Sequence, residues 1–438
     1  MPKFDPDLSN TEEPEAITVD DACCEVLVVG AGPAGAACAM TLAGQGVDVM
    51  LVDQHFFPRD KVCGDALIPD ALNALRRLGV LEQVLAEAER PRQVRCVAPS
   101  GLGVNFDATL AVLPRRRLDQ LLVEEAMRRG VRFRGGLRFA QAMESGSATS
   151  RVEGAWFQPN ARTANNSPPL GIRARQTVLA TGASASALLA AGMAIRREPS
   201  ALAARVYVKL DSGSGDRDEM MYGHALQVVW HRDLTPGYGW IFRGPGGIYN
   251  LGVGTFQRPR QREGAGRNLR TMFDNFLKAN TAARRLLGEG SLLGPLKGAP
   301  LRSTLAGARW WRPGLLVCGE AAGSTYDFTG EGIGKALETG LLAADAIVES
   351  RSGCAPSAEP GLKYAAGLEG LRSRFELYEQ GNLINRRPWI AELLVRLAWA
   401  RPPMRRHMAL LLEERITPDA LLSARTLVRM MWARSLPT

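Results

Sequence analysis

Glu25–Asp53 reads EVLVVGAGPAGAACAMTLAGQGVDVMLVD, and its layout decides the fold. A short apolar run, Val26 to Val29, enters Gly30-x-Gly32-x-x-Gly35. An alanine-rich helix follows, then a second apolar run, Val47 to Val52, ending in Asp53. Strand, glycine turn, helix, strand and acid in this order form the unit that binds the ADP half of a dinucleotide. Gly30 makes the tight turn, Gly32 lets backbone amides approach the pyrophosphate, and Gly35 lets helix and strand pack closely. The helix N-terminus turns its positive dipole end toward the phosphates. Asp53 is placed to accept from a ribose hydroxyl, which favours FAD or NAD over NADP. A Gly/Ala-rich βαβ core without a ligand is the plain alternative, and the flanking strands and terminal acid argue against it.

The rest of the chain sets bounds. Its 438 residues allow two to three domains with a large core. The net charge of +9 alone would admit nucleic acid, an anionic membrane surface or acidic ligands. The excess is concentrated: from Glu379 onward there are ten Arg against five acidic residues. Residues 1–22 are acidic and poor in apolar pattern. They read as a disordered tail, with neither the basic start nor the apolar core of a signal peptide. The seven Cys have irregular spacing and no Cys-x-x-Cys pair, and there are only four His. That argues against a disulfide framework and a zinc site, and fits a reducing cytoplasm. Val26 to Gly44 carries no charge, but its Gly and Pro content does not suit a membrane span.

Periodicity predicts an alternating chain. His55 to Ile68 is a loop, followed by a helix with Leu72, Leu75 and Leu78. Val94 to Val112 is a β-hairpin, Leu118 to Arg129 an amphipathic helix closed by Gly130, and Val131 to Phe139 a strand. Arg151 to Gln158 and Ile172 to Ala180 are strands around a polar loop, Pro159 to Gly171. Ala204 to Gly254 is strand-rich. Leu315 to Cys318 is a buried strand, Gly332 to Val348 a helix, and the chain from Leu362 is helical.

A second motif lies far from the first. Leu315-Leu-Val-Cys-Gly319-Glu320-Ala-Ala-Gly323 is an apolar strand running into a glycine turn with an acid. Thr329-Gly330-Glu331-Gly332-Ile333-Gly334 then opens a helix. A carboxylate after a buried strand can hold a polyol hydroxyl of a cofactor. Free amides at a helix start can stabilise the negative charge of a reduced flavin. The two motifs must meet at one cofactor, so the nucleotide-binding domain is expected to be discontinuous.

Together the two motifs resemble FAD-dependent oxidoreductases with the glutathione-reductase/p-hydroxybenzoate-hydroxylase type of fold. Pro58-Arg-Asp-Lys-Val-Cys63-Gly64-Asp65, then Ile68-Pro-Asp-Ala-Leu72, resembles the flavin-side loop of the geranylgeranyl reductase family. Tyr238-Gly-Trp240-Ile-Phe242, a turn, then Leu251-Gly-Val-Gly254 is similar to that family's substrate-domain signature, and Arg115-x-x-x-Asp119 to a segment near its flavin. The resemblance covers about Val26 to Val348. It implies an α/β fold: a discontinuous Rossmann-like FAD-binding domain over 23–200 and 302–350, an inserted antiparallel substrate sheet over 201–301 with a contribution from 90–113, and a helical region over 351–438. It implies FAD at Gly30, Gly32, Ala34, Gly35, Asp53, Cys63, Gly64, Arg115, Gly182, Glu320, Gly330, Gly332 and Ile333. It also implies NAD(P)H or a reduced electron-transfer protein as electron donor. Substrate-facing candidates are Cys63, Tyr238, Trp240, Phe242 and Asp327, and no metal is expected.

Four residues depart from that pattern. Glu320 stands where Asp is usual, Asp327 where Pro is usual, and Arg243 where Pro follows the aromatic triplet. Ala180-Thr181-Gly182 replaces an Ala-Asp-Gly segment that some flavin hydroxylases use for FAD and nicotinamide. Tyr238, Trp240 and Phe242 alternate with period two, so their rings share one face of a strand. From the residues alone that face is either ordinary core or a substrate wall.

The implied activity is hydride transfer from reduced flavin N5 to a C=C bond of an isoprenoid or other hydrophobic small molecule. A flavin monooxygenase or oxidase of a specialised metabolite is the enzymic alternative, because flavin chemistry belongs to the cofactor. A non-catalytic flavoprotein module at a membrane surface is the alternative of another class. No nucleic-acid partner is expected. The basic C-terminal helices suit either a solvated face or peripheral membrane contact.

Overall fold

The computed structural model describes residues 23–146, 151–160, 168–210, 225–256, 268–352, 359–416 and 418. The tail over 1–22, most of the loop over 159–171 and the last part of the basic C-terminus lie outside them.

Two sheets carry the fold. The first is built on parallel strands. Cys23–Val29 runs between Val49–Val52 on one side and Leu170–Leu179 on the other. Leu315–Val317 adds beyond Leu170–Leu179, and Arg132–Arg134 beyond Val49–Val52, all parallel. Val26 to Val29, Val49 to Val52 and Leu315 to Val317 are buried on both faces, which is why they read as continuous apolar runs. The helix Pro33–Ala43 packs against the long helix Ile333–Ser352 at a small-residue contact. A Cβ on Gly340 would collide with the Ala34 carbonyl. The chain's first strand and a strand near residue 315 thus lie two places apart in one sheet.

The second sheet runs in the order Ser291–Leu292, Ala201–Lys209, Ile248–Phe256, Gly237–Arg243, Ala225–Val229, Gln93–Val97, Gly103–Asp107. It is mixed, not purely antiparallel. Ala225–Val229 pairs in parallel with Gln93–Val97, because that strand arrives from the FAD-side half of the chain and not through a hairpin. One face of Gly237–Arg243 meets the helices Leu269–Ala279 and Thr281–Glu289, where Ile241 joins Phe273, Phe276 and Leu286. A Cβ on Gly239 would run into the Phe276 ring. The opposite face carries Tyr238, Trp240 and Phe242.

After Ile333–Ser352, Pro360–Gly381 packs along that helix, and three shorter helices follow: Leu383–Arg386, Pro388–Ala400 and Pro402–Leu412. Pro388 and Pro402 each occupy a first helical position, where the missing N–H costs nothing. The last two helices pack against Gly103–Asp107, so the C-terminal segment closes over the second sheet.

Candidate functional site

The glycine turn is shaped by contact, not by composition alone. Gly30 has φ +103°, and a Cβ there would strike the Ala180 carbonyl. A Cβ on Gly35 would sit on the Gly30 carbonyl, so Gly35 holds helix to strand and does not line the cavity. No side chain caps the helix Pro33–Ala43 at Gly32. Two guanidiniums face that position instead: a Cβ on Gly32 would be 3.6 Å from Arg59 Nη2 and 3.8 Å from Arg115 Nη2. Both Arg are held by fully buried Asp119. Arg115 donates to it twice, at 2.7 and 2.8 Å, and Arg59 Nη1 lies 3.1 Å away. The uncapped helix end and two fixed cations form an anion cradle. At the end of the second strand, Asp53 accepts from the Ala31 and His55 amides at 2.8 and 2.9 Å.

The loop after Asp53 is locked to the second sheet by a buried polar network. Asp65, at φ +68° and almost fully buried, accepts from Tyr207 Oη at 2.6 Å, Asn250 Nδ2 at 2.7 Å and the Arg115 amide at 3.1 Å. Asn250 Nδ2 also donates to the Cys63 carbonyl at 2.7 Å, and its Oδ1 accepts from Trp240 Nε1 at 2.9 Å. Asp60 pairs with Lys297 and with Arg205, whose guanidinium lies 4.0 Å over the Tyr207 ring. Burial pushes the Cys63 thiol up, against the lowering effect of Arg115. Cys63 is a packed neutral thiol at this site, not a thiolate.

Cradle and loop open into one cavity of about 590 Å³. Gly30, Gly32, Ala34, Asp53, Cys63, Gly64, Arg115, Gly182, Glu320, Gly330, Gly332 and Ile333 all line it, so the two distant motifs meet there. Tyr238, Trp240 and Phe242 form an aromatic wall with Trp230 and Phe256. The Tyr238 ring lies 5.8–6.3 Å from those of Trp230, Trp240 and Phe256, tilted or edge-on to each, and Tyr238 Oη donates to the Thr329 carbonyl. The far wall comes from the C-terminal helices, through Ile384, Ala391, Leu394, Val395, Met408 and Leu411.

Asp327 is not among the cavity-lining residues. It accepts from Ser303 Oγ at 2.9 Å and Asn382 Nδ2 at 2.6 Å. The carboxylate found where the family pattern has Pro is therefore an anchor for the C-terminal segment. Asn385 completes that anchor: it accepts from Trp230 Nε1 at 2.9 Å and donates to the Phe328 carbonyl at 2.8 Å.

A family model described as FAD binding domain matches residues 23–196. A menaquinone reductase of Mycolicibacterium smegmatis is 31% identical over 80% of this chain and 83% of its own length. A digeranylgeranylglycerophospholipid reductase of Methanoculleus marisnigri is 26% identical over 73% and 75%. The solved structure of a geranylgeranyl bacteriochlorophyll reductase-like protein from Thermoplasma acidophilum aligns with TM-score 0.69 at 18% identity, over 94% of this chain and 96% of that one. The chain belongs to the geranylgeranyl reductase-like family of FAD-dependent oxidoreductases.

The site fits FAD on its own geometry. The cradle at Gly32 has space, bare amides and two cations. The Thr181 hydroxyl, buried on the cavity wall, has no protein partner among the described residues. Glu320 stands beside it, 3.8 Å from a Cβ placed on Gly182, and Lys61 Nζ lies 3.9 Å from Glu320. These are groups a polyol and a phosphate satisfy.

Sequence reasoning missed a charged cluster under the Gly332 turn. Glu331 accepts from the Gly334 amide at 2.8 Å, and a Cβ on Gly334 would collide with the Asp70 carboxylate, so both carboxylates meet at this glycine. Lys335, 3% exposed, lies 3.4 Å from Asp70, 2.9 Å from Glu338 and 3.0 Å from Glu414. Burial pushes Asp70 up to about 7 against the pull of Lys335, and pushes Glu331 well above its ordinary range. Of the two carboxyls, Glu331 lines the cavity and Asp70 stands behind it at Gly334. Only the helix start was legible as a signal: Asp70, Glu331 and Glu414 lie in three distant parts of the chain and meet only in the fold.

Proposed function

We propose that this FAD-dependent oxidoreductase saturates C=C bonds of an isoprenoid chain carried on a lipid or quinone. The observation that carries the reading is the single cavity that joins the FAD cradle to an aromatic wall and is closed by apolar helices. Such a surface binds by area buried, at about 25 cal/mol per Å², and suits a long hydrophobic ligand. The names of the reductase relatives, one for a quinone and one for a geranylgeranyl lipid, support the same substrate class.

In this reading Gly30, Gly32 and Ala34 approach the pyrophosphate with Arg59 and Arg115, and Gly35 keeps the turn closed. Asp53 takes the adenosine ribose, and Glu320 with Gly182 the ribityl side. Cys63 and Gly64 border the flavin, and the Gly330–Gly332–Ile333 turn offers it amides. When bound, FAD supplies the hydride. Tyr238, Trp240 and Phe242 hold the substrate against it, and the C-terminal helices exclude water. Glu331, on the cavity wall, holds the proton for the second half of the addition. The described residues hold one dinucleotide unit, so NAD(P)H or a reduced electron-transfer protein delivers electrons in passing.

The test is the product. FAD-loaded protein, reduced without oxygen, is incubated with a geranylgeranyl lipid or menaquinone and the products are weighed by mass spectrometry. The proposal expects a gain of two hydrogens per bond. A product gaining an oxygen atom, formed only in air, would establish the monooxygenase reading instead.

A further inference from the structure

The helix Pro388–Ala400 has two apolar faces. One arc, with Ile390, Ala391, Leu394, Val395 and Ala398, is buried, and Ala391, Leu394 and Val395 line the cavity. The opposite arc spans about 120° and carries Trp389, Leu393 and Trp399. They are 61%, 41% and 61% exposed. Single exposed apolar residues need no explanation, but two Trp and a Leu on one helix face do. The surroundings are basic. Residues 383–406 contain six Arg and one Glu. That Glu392 is neutralised by Arg396 at 2.5 Å, on the same arc. Arg387 and Arg401 flank the helix at its two ends, and Arg406 is exposed on the next helix.

We infer that this face docks on an anionic lipid bilayer, with Trp389 and Trp399 in the headgroup region. Indole rings suit that boundary because they are apolar with one polar edge, and the arginines attract anionic headgroups. No helix among the described residues is long and apolar enough to cross a membrane, so the contact lies in the plane of the interface. The arrangement has a use. The helix that would touch lipid on one side is the cavity wall on the other, so a lipid-borne substrate travels one helix thickness. This use rests on the function proposed above; the docking itself does not.

Vesicle co-sedimentation tests it without any substrate. The FAD-loaded full chain is mixed with vesicles of phosphatidylcholine alone, or of phosphatidylcholine with phosphatidylglycerol. Wild type is expected to pellet with the anionic vesicles at least about 10-fold more strongly, and to be released by about 0.5 M salt. Trp389→Glu/Trp399→Glu, with FAD content and unfolding midpoint unchanged, is expected to lose about 10-fold or more of that binding. If the double variant loses FAD, Trp389→Ser/Trp399→Ser serves with the same expectation. Equal pelleting of wild type and a folded variant overturns the inference. So does failure of wild type to bind anionic vesicles, including the case where the substitutions convert a dimer to a monomer and reveal a second copy as the occupant. Loss of alkene reduction with vesicle binding intact would count against the proposed function alone.

Discussion

Gly35 and Asp65 show how single residues hold this site. At Gly35 any Cβ meets the Gly30 carbonyl, which is backbone and cannot rotate away. Gly35→Val is expected to yield protein without the yellow flavin absorbance, and normal FAD content in a folded variant would count against the cradle. Asp65 is a buried carboxylate facing three donors. Asn there would turn an N–H toward them, at a cost of about 1–3 kcal/mol. Burial pushes the Asp65 carboxyl up to about 6 from its ordinary 3.8, with the Tyr207 and Asn250 hydrogen bonds opposing. A folded-state value above the unfolded one means that the folded chain takes the proton more readily. The group's stabilising contribution is then complete below about pH 3.8 and lost as pH rises through about 6. The stability gap between wild type and Asp65→Asn should therefore shrink across that window, read by denaturant unfolding; a gap that widens contradicts the assignment. The glycines and Asp53 were legible because their roles are set within one βαβ unit. The partners of Asp65 were not, since Tyr207 and Asn250 reach it only through strand pairing far along the chain.

At the scale of elements, the C-terminal segment is where reading and structure part. The helical character of the chain from Leu362 was legible. The use of those helices as a cavity wall was not, because periodicity shows that a face is buried and not what it covers. The buried asparagines were the available signal. Asn382 and Asn385 stand one turn apart among apolar residues, and buried amides imply fixed partners. Asn385→Leu orphans the Trp230 indole N–H and the Phe328 carbonyl, at about 1–3 kcal/mol each. The expected outcome is faster proteolysis within Leu383–Leu412 with FAD content retained. Unchanged cleavage would show that apolar packing alone seats these helices. The parallel pairing of Ala225–Val229 with Gln93–Val97 was likewise beyond local pattern, since strand direction is decided by which distant segment arrives beside it.

For the whole molecule, the proposed reaction requires one cavity to serve both flavin and substrate. The fold class was legible because two glycine motifs in the right order admit few arrangements. The continuity of the cavity had to be seen, since FAD motifs, aromatic wall and helical closure come from four separate parts of the chain. Ala391, buried on the cavity wall, offers a way to fill the substrate end without touching the FAD cradle. The most direct test is anaerobic stopped-flow reoxidation of the reduced, FAD-loaded protein, comparing wild type with Ala391→Trp. A prenyl lipid should reoxidise the wild-type flavin and fail, by about 10-fold or more in rate, with the variant, because overpacking excludes the chain. Oxygen, which is small, should reoxidise both alike. Equal rates with the prenyl lipid in both proteins, or reoxidation of wild type by oxygen but by no prenyl lipid, would contradict the account.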